Sequence, residues 1–406
     1  MAKIVCSFRR FQMGGVETYF IRMFKWGIKN GYEPVLLLPE GEEYDSVWEK
    51  EIKELRVAVV FYTPLYKTAE KDSRIFRKED SWIFISATRD TYYACLSLIS
   101  DYGLHHSKIY FYVLHPKDTT GANQKLKKLL IKYLLIKPLW DRGLVFMDEE
   151  TEYYCRKTYL LKRMKPANIV RLGQIFDEYD PEIVLSRSEK DDFTILSICR
   201  FDFPFKGYVL GLIKDFERLC FIYDNLQLVL VGDGAGKIEI EEICDNFSEE
   251  IRKKIFLTGQ ISYDRIRDLI HKADLYIGMG TTLIDAAMTG LVGITAIGDQ
   301  RDHYALGFFH NNIREIGILL EDTDIRKTFY DLIEDYLGYS NEEKIRLSEE
   351  TYKLSYDEYE INRCMEKLLR LSGSPALSVK AGLWIRRLYL NILYMNNREK
   401  SYDLIV

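Results

Sequence analysis

Short apolar runs and helical patterns alternate through the first half of the chain. Lys3–Phe8 reads as a strand, Val16–Asn30 as a helix stopped by Gly31, and Glu33–Leu38 as the next strand. Val57–Phe61, Trp82–Ser86, Ile109–Leu114, Leu144–Met147 and Asn168–Arg171 are further strand candidates, with helical patterns between most of them. Near-continuous apolar strands alternating with helices imply a parallel sheet covered on both faces. The pattern lapses over Phe176–Asp192, an acid-rich stretch with a proline and two serines, which reads as a linker. It then restarts with strands at Phe193–Cys199, Leu226–Val231, Ile255–Thr258, Leu275–Met279 and Val292–Ala296. Helices at Gly207–Tyr223, Lys237–Asp245, Asp264–Lys272 and Thr281–Thr289 separate them. From Glu321 onward the strands stop, and Glu321–Leu337, Asn341–Leu354, Tyr356–Leu371 and the amphipathic Ser374–Asn396 read as helices.

The pattern therefore predicts an α/β protein of two doubly wound, Rossmann-like domains facing a cleft, with a helical C-terminal segment. The boundaries it gives are 1–178, 190–372 and 373–406, the last expected to pack back on the first domain. Ligands of such sheets gather at the carboxyl ends of strands, so the cleft between the domains is the expected site.

Composition narrows the class. Of 406 residues, 47% are apolar and 29% charged, the profile of a folded chain. Lys and Arg number 57 and Asp and Glu 62, a net charge of −5 without the basic footprint of a nucleic-acid binder. No apolar stretch reaches the roughly 18 residues a bilayer span needs, and the first residues lack a signal-peptide layout, so the expected location is cytoplasmic. The seven cysteines are scattered, odd in number and without a C-x-x-C pair, which predicts reduced core thiols. No His/Cys/Asp spacing suggests a metal site, and no cofactor is expected.

Several motifs could carry chemistry. Gly14-Gly15-Val16-Glu17 follows the first strand and opens the first helix, where backbone amides could approach an anion. Arg200 and Lys206 lie just after the second domain's first strand, in the turn entering a helix, where a diphosphate would be held. Val231-Gly-Asp-Gly-Ala-Gly-Lys237 does not fit a dinucleotide fingerprint, since its third glycine would fall at Lys237; it reads as a strand-end turn. After the Leu275–Met279 strand come Gly280, Thr281 and Thr282, then Asp285 one turn on. Amides there could hold phosphate or sugar oxygens, and the carboxylate could accept two ribose hydroxyls; an N-capping threonine is the plain alternative. Asp322-Thr-Asp324 spells D-x-D but reads as a helix cap. His115, at a strand's carboxyl end in Val113-Leu-His-Pro116, is the best placed of six histidines. Asn123–Trp140 carries five lysines and no acid beside Leu, Ile, Tyr and Trp. This segment fits an interfacial helix drawn to anionic lipid through Lys125, Lys127, Lys128 and Lys132. Its alternative is an amphipathic helix packed on the sheet with a solvated lysine face. The tail, with Lys380, Trp384, Arg386 and Arg387, is a second, weaker example.

Taken together, these residues resemble the retaining GT-B glycosyltransferases of the large group 1 (family 4-like) family over most of the chain. Ile195–Arg200 with Lys206-Gly207 is similar to the family's strand–Gly-Arg–x–Lys-Gly segment, and Leu228–Gly234 to its L-x-I-V-G-D-G. Phe256-Leu-Thr-Gly259 resembles F-x-G, Lys272–Tyr276 resembles x-A-D-V-x, Asp285–Gly290 resembles E-A-M-A-x-G, and Gly14–Glu17 matches G-G-V-E. The resemblance implies metal-independent, retaining transfer of a sugar from a nucleotide-sugar, UDP before GDP, to a glycan or lipid-linked acceptor in surface polysaccharide assembly. It implies that Arg200 and Lys206 neutralise the diphosphate leaving group and that Gly14 and Gly15 close over it. It further implies that Asp285 binds the ribose, that backbone around Gly259–Ile261 meets the base, and that His115 contacts the donor sugar. The chain departs from the family's E-x7-E, where the second glutamate is Asp285 and the first would fall at Ile277; Gly278-Met-Gly280 replaces P-S-x-x-E. Either amides of Gly280–Thr282 take over that carboxylate's task, or the donor is unusual, or activity is weak; the second reading is an idle protein that binds a nucleotide or a partner. A sugar-nucleotide epimerase is the third alternative.

Overall fold

The computed structural model describes residues 2–11, 14–42, 46–69, 74–115, 117–120, 125–188, 190–261, 263–317, 327–375 and 377–396. The chain divides into two compact units, the first formed by Met1–Gln174 with Ile361–Val406 and the second by Ile175–Glu360.

The first unit is built on a seven-stranded sheet: β1 (Ala2–Ser7), β2 (Tyr32–Pro39), β3 (Ala58–Tyr62), β4 (Ser81–Ser86), β5 (Ser107–Val113), β6 (Leu144–Phe146) and β7 (Asn168–Ile169). Its order is β3-β2-β1-β4-β5-β6-β7, with every neighbouring pair parallel. Alternate residues of β1 bury on opposite faces: Val5 joins one core cluster, Ile4 and Cys6 the other. That two-sided burial is why the strand is a continuous apolar run.

The second unit repeats the plan with β8 (Phe193–Ile198), β9 (Leu226–Val231), β10 (Ile255–Gly259), β11 (Leu275–Gly278), β12 (Gly293–Ala296), β13 (Tyr304–Phe308) and β14 (Lys327–Thr328). The order is β10-β9-β8-β11-β12-β13-β14; β13 pairs antiparallel with both β12 and β14. The α/β architecture of two doubly wound sheets is thus the one the alternation predicts.

Four features differ from the sequence expectations. The expected linker contains a helix, Pro181–Ser188, whose buried Arg187 donates from Nε and Nη2 to the carbonyls of His271 and Ile270. The guanidinium thereby closes the end of the Tyr263–Lys272 helix, a tertiary reason that local composition does not carry. β13 is a strand the pattern missed, and β14 stands within the stretch read as helix; that helix is Phe329–Leu337, capped by Thr328 and Asp331, while residues 321–326, including Asp322 and Asp324, lie outside the described residues. The next helix runs unbroken from Asn341 to Tyr359 and stops at Glu360, whose backbone is extended. Finally, the Ile361–Arg370 helix belongs to the first unit, so the second ends at Glu360 and not at residue 372. Its stripe of Ile361, Cys364, Met365 and Leu368 completes the core cluster that contains Ile4 and Cys6 of β1, and the Ile361 amide donates to the Gln174 carbonyl at 2.9 Å. The final helix, Leu377–Asn396, also packs on the first unit, through Val379, Leu383 and Leu390.

All seven cysteines are free; six are buried and Cys199 is half-buried.

Candidate functional site

In the second unit, the chain leaves β8 toward β9 on one side and returns from β10 to β11 on the other, so the strand order reverses between β8 and β11. The turns beyond the carboxyl ends of these two strands flank the crevice where doubly wound sheets bind ligands. Arg200 and Lys206 follow β8; Gly280, Thr281, Thr282 and Asp285 follow β11; Gly259 and Ile261 lie at the end of β10, at the sheet's edge. The second unit's predicted residues therefore share one edge of one sheet.

The segment carrying Arg200 is held by the glycine run after β9. The amides of Cys199 and Phe201 donate to the carbonyls of Val231 and Asp233 at 3.0 and 2.9 Å, and the Gly236 amide donates to the Phe201 carbonyl at 2.8 Å. A Cβ on Gly232, whose φ is +151°, would lie 1.8 Å from the Cys199 carbonyl oxygen. These glycines thus seat one backbone on another and are not a phosphate cradle. The Arg200 side chain is exposed and makes no ion pair with a described residue. Lys206 is half-buried, its ammonium 4.8 Å from the centroid of Phe205. Burial pulls it down to about 8, and the Arg200 guanidinium acts in the same direction. The two cations are close enough for one to lower the other's proton affinity, an arrangement that can receive a polyvalent anion.

Across the crevice, Gly280 adopts φ +75°, ψ −149°, open only to glycine, and starts the Thr281–Ala287 helix. Its amide donates to the Ile316 carbonyl at 2.6 Å, so it is not available to a ligand, contrary to expectation. Thr282 is also turned inward: its hydroxyl accepts from Tyr276 at 2.7 Å and reaches the Ile198 carbonyl at 3.2 Å. It ties the helix start to the end of β8. Thr281 and Asp285 are half-buried, and Ile277 is fully buried in β11. Gly259 has φ +68°, and nothing lies within 4 Å of where its Cβ would stand, which leaves its face open; half-buried Ile261 packs against the core.

In the first unit, Gly14 caps the Gly15–Lys29 helix in extended conformation. The buried Glu17 carboxyl sits against it, 2.6 Å from where a Cβ would be. His115 stands exposed just beyond β5. Asp118, which the sequence reading did not single out, accepts from the His115 amide at 2.8 Å and returns its own amide to the His115 carbonyl at 3.0 Å. Burial pushes this carboxyl up to about 7 despite the hydrogen bonds from His115 and Leu114. The available signal was an Asp three residues after the histidine at a strand-to-helix turn. Among the described residues no group of three or more His, Cys, Asp or Glu stands where it could hold a metal ion.

The four lysines assigned to membrane contact lie on the helix that starts at Lys125, passes through a π-helical turn at Lys132–Ile136 and ends at Leu139. None of Lys125–Ile131 is buried, whereas Leu135, Ile136, Leu139 and Trp140 enter the core. Trp140 is therefore a core residue, its Nε1 donating to the Lys165 carbonyl at 2.9 Å. In the tail, Arg386 and Arg387 turn inward to Asp90 and Asp101 and are not the lipid-facing cations expected. No helix among the described residues is long and apolar enough to cross a membrane.

Comparison with known proteins agrees with this layout. Residues 181–297 match the family described as Glycosyl transferases group 1. The chain is 25% identical over 257 residues to the phosphatidylinositol N-acetylglucosaminyltransferase gpi3 subunit of Schizosaccharomyces pombe, covering 58% of this chain and 53% of that protein. It is also 25% identical over 153 residues to the GPI3 subunit of the same enzyme from Saccharomyces cerevisiae, covering 35% and 33%. The chain thus spans about half the length of the fission yeast relative and a third of the budding yeast one. Among solved structures, HepE of Anabaena in complex with UDP superposes with a TM-score of 0.63 at 12% identity, covering 90% of this chain and 98% of that one. A glycosyltransferase from Rickettsia africae gives 0.63 at 15%, covering 91% and 97%. Residues 181–297, within the second unit, are thus similar to the group 1 glycosyl transferases, and the chain has the GT-B fold.

Proposed function

We propose that the protein transfers a sugar from a UDP-sugar to a glycan or lipid-linked acceptor, with retention at the anomeric carbon, in surface polysaccharide assembly. The observation that carries this reading is the Arg200–Lys206 pair at the carboxyl end of β8, two cations with no carboxylate partner among the described residues. Breaking the bond from the sugar to the diphosphate leaves negative charge on the departing oxygens, and fixed cations at that point lower the barrier. Asp285 is assigned to the ribose hydroxyls, the backbone of Gly259–Ile261 to the base, and Thr281 to the diphosphate side. For the first unit, Gly14 and Gly15 are assigned to the diphosphate and His115 to the donor sugar. UDP is favoured because the Anabaena relative was solved with UDP and with UDP-glucose. The lysines of the Lys125–Leu139 helix support a lipid-linked acceptor reached from an anionic membrane on its cytoplasmic side.

The test is to incubate the protein with a panel of UDP-sugars and vesicle-borne acceptors, following UDP release and anomeric configuration by NMR. A retained-configuration product that falls about a hundredfold in Arg200→Ala is expected; a product unchanged by that substitution contradicts the reading. A second reading, nucleotide binding without transfer, draws on the Gly280 amide and the Thr282 hydroxyl, both engaged within the protein where the missing glutamate's task would need them. UDP binding with no product from any sugar would favour it.

A further inference from the structure

The final helix turns its wrong side to solvent. Its inward stripe is Val379, Leu383, Arg386, Arg387 and Leu390, in which the two guanidinium groups pair with Asp90 and Asp101 while the apolar side chains join the core. Its outward stripe repeats at the same helical spacing and holds Trp384, Ile385, Leu388 and Tyr389, all exposed, Trp384 by 67%. A solvent-facing stripe of large apolar residues on a helix already anchored on its other side has no role in folding the unit. It needs a cover.

A second such stripe lies on the helix it touches. Gly382 packs against Leu134, where a Cβ would come within 3.3 Å of the Leu134 side chain. Leu134 follows Tyr133 and lies one turn from Leu130, and Gly382 lies within one turn of Ile385. On this partner helix Leu126, Leu129, Leu130 and Tyr133 are exposed, while Lys125, Lys127, Lys128, Lys132 and Lys137 fringe them without a single acidic residue. Lys132 and Lys137 hold their ammonium groups over the Tyr133 ring at 5.7 and 4.9 Å.

We infer that these two helices together form a monotopic membrane seat, in which the Trp384–Tyr389 stripe inserts among the acyl chains and the lysine fringe meets anionic headgroups. This deepens the membrane contact proposed above, which invoked the lysines alone. Charge complementarity selects the occupant: a cationic fringe on a chain of net charge −5 matches an anionic lipid surface. Trp384 and Tyr389 each join an apolar ring to a polar tip, which suits a stripe inserted just below the headgroups. The inward clasps to Asp90 and Asp101 hold the inserting helix rigidly, so that insertion need not order it first.

The chain contains its own probe. Of its five tryptophans, Trp26, Trp48, Trp82 and Trp140 are at most 7% exposed, which leaves Trp384 as the one open to solvent. The experiment mixes the full-length protein with vesicles of phosphatidylcholine, with and without phosphatidylglycerol, and with brominated acyl chains as quencher. The expected result is a blue shift and bromine quenching of Trp384 on the phosphatidylglycerol vesicles only, absent in Trp384→Phe. Leu388→Glu should weaken vesicle sedimentation at least about tenfold with the melting temperature unchanged. Sedimentation without any change in Trp384 emission, abolished by high salt, would overturn insertion while leaving the lysine contact standing. No sedimentation, or equal binding to both lipids, would overturn the membrane seat altogether. A Trp384 already shielded from acrylamide in a dimer of the protein alone would assign the face to a second copy and overturn it too.

Discussion

At Lys206 burial and the Arg200 charge hold an ammonium at about 8, well below its usual range. A bound diphosphate supplies the missing counter-charge and draws the proton back. UDP affinity should therefore fall as pH rises above about 8, by at most about tenfold per unit, and calorimetric titration across pH 7–10 reads this directly. Stability of the unliganded protein moves the other way. Between the folded value and the usual 10.5 the unfolded chain binds more protons, so stability rises with pH across that window. Arg200→Ala removes the like charge and should move the affinity midpoint upward. Asp118 has the opposite sign: its carboxyl is raised to about 7 by burial, so the folded state holds the extra proton between the usual 3.8 and 7, and stability declines as pH rises through that range. Asp118→Asn should flatten this decline, worth a few kcal/mol at most, as chemical denaturation at pH 5 and pH 8 would show. An unchanged slope would mean that the carboxyl titrates in the ordinary range.

Among the elements, the glycine run after β9 does what its sequence only half discloses. Gly232-Asp-Gly-Ala-Gly236 is legible as a strand-end turn, but its task, seating the Cys199–Phe203 backbone, depends on contacts between segments some thirty residues apart. Gly232→Ala puts a Cβ into the Cys199 carbonyl and should cost more than about 2 kcal/mol of stability as well as UDP binding. Gly259→Ala meets open space and carries only the left-handed backbone strain of about 1 kcal/mol. Urea unfolding of the two variants separates the cases; equal losses would contradict the seating role of Gly232. The parallel strands of both sheets are legible because burial writes them as apolar runs. β13 is not, since Tyr304–Phe308 mixes exposed and buried positions and includes Gly307 at φ +112°. The Pro181–Ser188 helix was hidden by its acidic neighbours, because the feature that fixes it is Arg187 reaching the end of another helix. At the site, the placement of Arg200, Lys206 and Asp285 was readable from strand ends, whereas the engagement of the Gly280 amide by Ile316 was not, being a contact with a distant loop.

Across the molecule, the two units take their residues in an order no linear reading of domains reproduces. The chain leaves the first unit at Gln174 and re-enters beside it at Ile361, and the last two helices are part of that unit's core. Ending the chain after residue 372 should therefore uncover the surface under Val379, Leu383 and Leu390 and strip Asp90 and Asp101 of their partners. The first unit would lose several degrees of melting temperature, while the UDP contacts assigned to Arg200, Lys206 and Asp285 of the second would persist; differential scanning calorimetry with and without UDP distinguishes the two. Sugar transfer, as proposed, rests above all on the anion receptor of Arg200 and Lys206. Isothermal titration of UDP into the wild-type protein, Arg200→Ala and Lys206→Ala at pH 7 addresses that receptor without intermediaries. Saturable binding to wild type is expected, weakened at least about tenfold in each variant, with both variants folded by circular dichroism. Equal UDP affinity in all three proteins would contradict the receptor.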